Sequence, residues 1–302
     1  MYRGTVRRKI MSRDQINGSG APQTIQDLRT GETMNLVWHD EFEGNAINAT
    51  KWNFVDRMWD DRIVSTLDER NIKVENSNVV MQAWREDDGI YSTNITLTTW
   101  DRMSFRYGYM EIFAKVPFVP GAFPSFWFQS AHQHRTVNYM TEVDVFEPYF
   151  HNNIESTKHK WYMEPATPNA PTGRAYAHDW CDPNSYDFPD PGNLSNEYHR
   201  YGFGWSPTEM YFSVDGQVYA VNDITDRGDF CEGYGRGKQL TGMEGFQNPL
   251  VVNFTNWLEL NEGFRHKEYR VNDESEFPFT FAVDWIRLYQ KPGEGELFFD
   301  RL

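Results

Sequence analysis

The chain has 302 residues, 16% of them aromatic, with 29 basic against 44 acidic side chains and a formal net charge of −15. That balance argues against nucleic acid and anionic membranes as partners, since both ask for a basic face. No apolar run approaches the length of a membrane span, and two cysteines, Cys181 and Cys231, are too few for a disulfide framework, whether they pair or stay as thiols.

Residues 1–34 read as an N-terminal arm: Arg3, Arg7, Arg8, Lys9 and Arg13 come first, followed by the breaker cluster "NGSGAPQT". The start lacks the apolar segment of a signal peptide. Either the chain stays in the cytoplasm or an export signal is not part of this sequence. From "LVWHDEF" onward, short alternating apolar runs are parted by Asn, Gly, Asp and Pro, as in "NIKVENSNVVMQAW", "NITLTTW" and "YGYMEIFAKVPF". Later come "MYFSVDGQVYAV", "PLVVNFTNWL" and "FAVDWIRLYQ". The Asp-Gly in "SVDGQVYAV" between β-rich flanks predicts a hairpin. Helical periodicity is nearly absent, so the pattern predicts an all-β sandwich or barrel in one domain over 35–291, with a tail at 292–302. Residues 165–197 are rich in Pro, Asn and Asp and show no clear periodicity. A long loop of this kind is usually functional or disordered, and Tyr176, Trp180 and Tyr186 are candidates for a wall beside a cleft.

The segment "TEVDVFEPYF" carries Glu142, Asp144 and Glu147, spaced by two and then by three. Side chains alternate along a strand, so the first gap keeps one face and the second breaks it. A β-bulge between Asp144 and Glu147 restores all three to the same face and sends Val143 and one of Val145 and Phe146 into the core. Clustered carboxylates push one another's proton affinity upward. The outcome, one ionised group and one protonated group, is what glycoside hydrolysis needs.

This segment resembles the active-site strand of glycoside hydrolase family 16, in the branch that carries a bulged E-x-D-x-x-E. "LVWHDEFEGNAINATKWNF", "YGYMEIFAKVPFVPGAFPSFWF", "YHRYGFGWSPTEMYFSVDGQVY" and "FAVDWIRLYQ" are similar to the family in the same order, so the resemblance spans about residues 35–291. It implies a β-jelly-roll of two curved antiparallel sheets with an open concave substrate cleft. It also implies retaining, endo-acting hydrolysis of a β-linked polysaccharide, with Glu142 as nucleophile, Glu147 as general acid/base and Asp144 holding Glu142. The extra residue sets the chain apart from the lichenase and xyloglucan-transferase branches. It leaves those of laminarinases, agarases, carrageenases, porphyranases and endo-β-galactosidases.

For substrate binding the resemblance implies Trp127 as a stacking platform, His159 near the sugar at the cleaved bond, and Trp257 as a further cleft aromatic. Three positions depart from the laminarinase pattern. Phe123 replaces the first Trp of Trp-Pro-Ala-Phe-Trp, Trp59 and Asp61 stand where relatives resemble Trp-Gly-Asn-Asn, and Asn94 stands where they often show Arg. An endo-β-1,3-glucanase is the leading expectation, and an endo-β-galactosidase acting on a β-galactan or host glycan is the alternative. A noncatalytic jelly-roll lectin is the rival from another class; it would tolerate loss of any of the three acids, and all are present. A zinc hydrolase would need more than the His132 and His134 of "HQH". Catalysis needs no cofactor on this reading, while a structural calcium at Glu41 and Asp284 is expected from matching motifs and their hard oxygen donors. The expected partner is a polysaccharide or oligosaccharide, taken up by a monomer. The sequons at Asn48, Asn94, Asn193 and Asn253 read as chance matches, since Asn253 lies in a core-like strand.

Overall fold

The computed structural model describes residues 20–56, 60–86, 89–131, 139–150, 152–164, 174–180, 184–189, 195–225, 246–260 and 269–299, with backbone alone at 139, 149–150, 160–164 and 174–180. Among these residues there is no α-helix, and the strands form one eleven-stranded and one ten-stranded sheet. The ten-stranded sheet runs in the order Arg174–Trp180, Asn153–Glu164, Tyr139–Phe150, Ala122–Ser130, Leu250–Leu258, Thr96–Thr98, Asn53–Val55. The path of the other is Gln217–Asp223, Glu209–Val214, Tyr198–Trp205, Gly108–Lys115, Phe279–Gln290, Asn78–Arg85, Tyr91–Asn94, Ile63–Thr66. Sequence neighbours are therefore often not sheet neighbours, which is the crossing connectivity of a jelly-roll rather than a simple meander.

Alternation along the strands divides each into a core face and an outer face. Met110, Ile112 and Ala114 of one sheet meet Phe126, Phe128, Val143 and Phe254 of the other in a continuous buried cluster. Phe146 joins the layers most directly. Its ring lies 6.3 Å from Phe126 in its own sheet, and 4.6 Å from Tyr201 and 5.8 Å from Phe281 in the facing sheet. Burying one such ring contributes about 1.5–3 kcal/mol, so the strand bearing the three acids is anchored from beneath.

The predicted hairpin is present. Val214 pairs with Gln217 across Asp215 and Gly216, and both turn residues have positive φ, 51° and 77°. Two left-handed residues give the primed turn whose twist matches paired strands. Gly202 and Gly204 lie beneath the rings of Tyr109 and Tyr211, where a Cβ would overlap the aromatic atoms.

Three segments carry more structure than the sequence pattern suggests. Thr24–Gln26, inside the expected arm, pairs with Thr33–Asp40, and Asp27 closes the turn between them by accepting from the Arg29 and Thr30 amides at 2.7 and 2.9 Å. Glu296–Phe299, in the expected tail, pairs with Met103–Arg106. Within 165–197, Arg174–Trp180 and Asn184–Asp187 are strands laid against Asn153–Glu164. Tyr186 packs its ring on Phe188 and Tyr219 at 5.1 and 5.2 Å, against the core and not as a cleft wall.

Candidate active site

The strand Tyr139–Phe150 breaks register where the acid spacing changes. Against Asn153–Glu164, Glu142 pairs with His159 and Asp144 with Thr157, and the next pair is Glu147 with Glu155. Three steps on one strand answer two on the other, so one residue is extra. On the opposite side, Val143 faces Phe128, Asp144 faces Trp127 and Phe146 faces Phe126, which leaves Val145 as the bulged residue. Val145 is nonetheless buried together with Phe146, so the bulge commits both apolar residues to the core where alternation alone assigns one. Glu142, Asp144 and Glu147 emerge together on the outer face of the ten-stranded sheet.

His159 is the fourth member of the group. Its Nε2 lies 3.0 Å from Asp144 Oδ2 and 4.0 Å from Glu142 Oε1, and donor atoms of all three residues fall within 4.8 Å of one another. Asp144 is 5% exposed, and burial pushes its carboxyl up to about 8. A buried carboxylate costs more than a buried carboxylic acid, so burial favours the protonated form of Asp144, a neutral neighbour of Glu142 and not a second charge. Glu142 and Glu147 are half-buried.

Neighbouring strands supply the rest of the surface. Trp127 is registered between Asp144 on one side and Asn253 on the other, and Gln129 is registered with Glu142. Two steps along, the hydroxyls of Ser125 and Thr255 hydrogen-bond to each other, and beyond them Phe123 pairs with Trp257. Trp127, Phe123 and Trp257 therefore share the outer face with the acids.

Asn94 ends Tyr91–Asn94, two residues before Thr96–Thr98 of the ten-stranded sheet. It is 1% exposed and donates its Nδ2 to the Ile95 carbonyl at 2.9 Å, and its neighbour Thr93 donates to the Asn256 carbonyl, next to Trp257. Trp59 falls outside the described residues, as do His132, His134, Cys181, Cys231 and Asn193, while Asp61 is exposed in the turn before Ile63–Thr66. Asn253 is fully buried, which closes that sequon to modification.

Sequence reasoning missed two outer-face neighbours, Gln129 and Glu155, and named Trp180 without reading Arg174–Trp180 as a strand, whose last residue pairs with His159. Glu155 and Gln129 carry no local signal, because only cross-strand register brings them to the acids.

Glu41 and Asp284 belong to no cluster of three His, Cys, Asp or Glu ligand atoms among the described residues. Both Glu41 oxygens accept from Arg287, at 2.9 Å from Nε and 2.7 Å from Nη2, and His39 Nδ1 stands 3.1 Å away. Asp284 is buried at a register shift where Val283 and Trp285 flank it. The Arg287 guanidinium neutralises the Glu41 carboxylate.

A family model described as glycosyl hydrolases family 16 matches residues 56–234. The chain is 23% identical over 282 residues to glucan endo-1,3-beta-glucosidase A1 of Niallia circulans, covering 85% of this chain and 38% of that protein. It is 24% identical over 268 residues to keratan-sulfate endo-1,4-beta-galactosidase of Sphingobacterium multivorum, covering 85% of this chain and 55% of that one. The chain thus spans about two fifths to just over half of these relatives' own lengths. Among solved structures, endo-beta-1,3-glucanase from Pyrococcus furiosus superposes with a TM-score of 0.66 at 20% identity, over 89% of this chain and 98% of that one. At that identity the likeness speaks for the two-sheet fold.

Proposed function

Because the chain belongs to glycosyl hydrolases family 16, we propose that it is a retaining endo-β-glycanase whose first substrate is β-1,3-glucan. The observation that carries this reading is the bulged strand that turns Glu142, Asp144 and Glu147 to one face, above His159 and beside Trp127. In the first step a Glu142 oxygen attacks the anomeric carbon while the glycosidic C–O bond breaks. Glu147 gives its proton to the departing sugar oxygen, leaving a glycosyl ester on Glu142 and a carboxylate at Glu147. In the second step Glu147 takes a proton from water, whose oxygen displaces Glu142 from the anomeric carbon. Protonated Asp144, oriented by His159, donates toward Glu142 and steadies it as it becomes a leaving group. Trp127 offers its ring to a sugar at the cleaved bond, and Phe123 with Trp257 extends the apolar surface to a further sugar.

The β-1,3-glucan assignment draws on the relatives named as β-1,3-glucanases. A β-galactan is the second reading. Phe123 in place of the laminarinase-like Trp favours it, as does the equally similar keratan-sulfate endo-1,4-beta-galactosidase.

The test is reducing-end release from laminarin, mixed-linkage glucan, agarose, carrageenan, keratan-type glycans and mucin, with Glu142→Gln beside the wild type. We expect one neutral glycan to be cleaved, and the variant to fall by a factor of ~10⁴ or more. Equal rates in both would remove Glu142 from the mechanism. Silence on every glycan from a folded wild type would leave a sugar-binding jelly-roll without hydrolysis.

A further inference from the structure

Past the bulge, the first registered pair between Tyr139–Phe150 and Asn153–Glu164 is Glu147 with Glu155. Ile154 is buried in the core while Glu155 is half-buried, so alternation turns Glu155 to the outer face with Thr157 and His159. Directly opposed residues hold their Cβ atoms about 4.5–5.5 Å apart, and like charges so placed are unfavourable. An arrangement that costs stability at a site of this kind asks for a function.

The surroundings sharpen the question. On its own strand Glu147 shares the face with Glu142 and Asp144, and across the pairing with Glu155 and His159. The strand Ala122–Ser130 contributes uncharged Ser125 and Trp127. The strand Asn184–Asp187 adds Ser185 opposite Glu155 and Asp187 opposite Asn153. Lys158 is registered with Val143 and so belongs to the other face. The charges registered on this face of these strands are acidic, apart from a protonated His159.

We propose that Glu155 is a positioning residue that keeps the proton on Glu147 until the glycosidic oxygen takes it. This rests on Glu147 being the acid/base. With Glu155 ionised, loss of the Glu147 proton to bulk water creates a second negative charge at close range, which disfavours it. The proton is instead given up where a leaving oxygen accepts it. After that transfer the same repulsion makes the Glu147 carboxylate a stronger base toward the water of the second step. One fixed charge therefore serves both halves of the reaction.

The experiment needs no substrate. The full chain is labelled with carboxyl-¹³C glutamate, and the Glu147 resonance is identified by its loss in Glu147→Gln. It is then titrated in wild type, Glu155→Gln and Glu155→Asp. We expect the Glu147 midpoint to fall in Glu155→Gln by about half a pH unit or more, the size reached by two charges ~5 Å apart even at the dielectric of water. Glu155→Asp should keep most of the wild-type value. An unmoved midpoint in folded Glu155→Gln overturns the proposal, as does a midpoint that moves equally in both variants. A wild type that cleaves no glycan would instead count against the hydrolase reading, with the titration still read on its own. On whichever glycan is cleaved, the alkaline limb of kcat/KM should move down with the midpoint. A raised KM over an unchanged limb would make Glu155 a sugar contact and not a proton-holding group.

Discussion

Asp144 shows how a single residue sets activity against stability. Its carboxyl titrates near 3.8 in an unstructured chain and is pushed up to about 8 by burial in the fold. Between those values the folded state keeps a proton that the unfolded state has released, so stability falls as pH rises from about 4 to about 8. The opposite sign holds for the salt-bridged carboxylates of the surface, such as Asp60, which Arg62 holds below the usual range. Asp144→Asn removes the titration and preserves the shape. Its melting temperature should therefore gain on the wild type as pH goes from about 5 to about 8, while hydrolysis should fall by no more than about tenfold, because the amide keeps a neutral donor beside Glu142. Melts of both proteins at three pH values check this. A constant difference across the range would mean that Asp144 is ionised in the fold and cannot act as a neutral donor.

At the scale of the strand, the bulge at Val145 decides which face Glu147 takes while keeping its distance from Glu142. Deleting Val145 leaves Glu142, Asp144 and Glu147 at even spacing and still on one face, with Phe146 still in the core. Glu147 stays opposite Glu155, four partner-strand steps from His159, because the bulge already absorbs the extra residue. The deletion should therefore fold, with a lower melting temperature from the lost valine burial, and should keep kcat within about tenfold. A loss of about two orders of magnitude or more would show that the bulge sets the aim of Glu147 as well as its face. This bulge was legible in the sequence because alternation is a local rule, and a gap of three after a gap of two can be read without knowing the neighbouring strands. The Asp215–Gly216 hairpin was legible for the same reason. Glu155 was not, since its pairing with Glu147 depends on register across a hairpin that spacing alone does not fix. Arg174–Trp180 was hidden by the Pro- and Asn-rich residues around it and is a strand because Asn153–Glu164 offers it a partner.

Over the whole molecule, charge bears on which polymer can lie across the acids. The net charge of −15 is a long-range field, and Glu142 and Glu155 add the same sign on the outer face of the ten-stranded sheet. A neutral glucan or galactan meets no electrostatic barrier there, whereas a sulfated glycan must approach like charge. The Debye length shortens from about 30 Å at 0.01 M salt to about 8 Å at 0.15 M, so the two classes should answer salt differently. On a neutral glycan, KM should change less than about twofold over that range, because stacking on Trp127 and hydrogen bonds are short-ranged. On a keratan-type or carrageenan substrate, any activity should rise with salt as the repulsion is screened. Glu155→Gln should reduce that salt dependence by removing a charge close to the reacting bond. Initial rates at several salt concentrations, on one neutral and one sulfated polymer, check this. Activity on the sulfated polymer that is greatest at low salt would reverse the inference. A local basic subsite would then be reading sulfate against the field of the rest of the chain, and the β-galactan reading would take precedence over β-1,3-glucan.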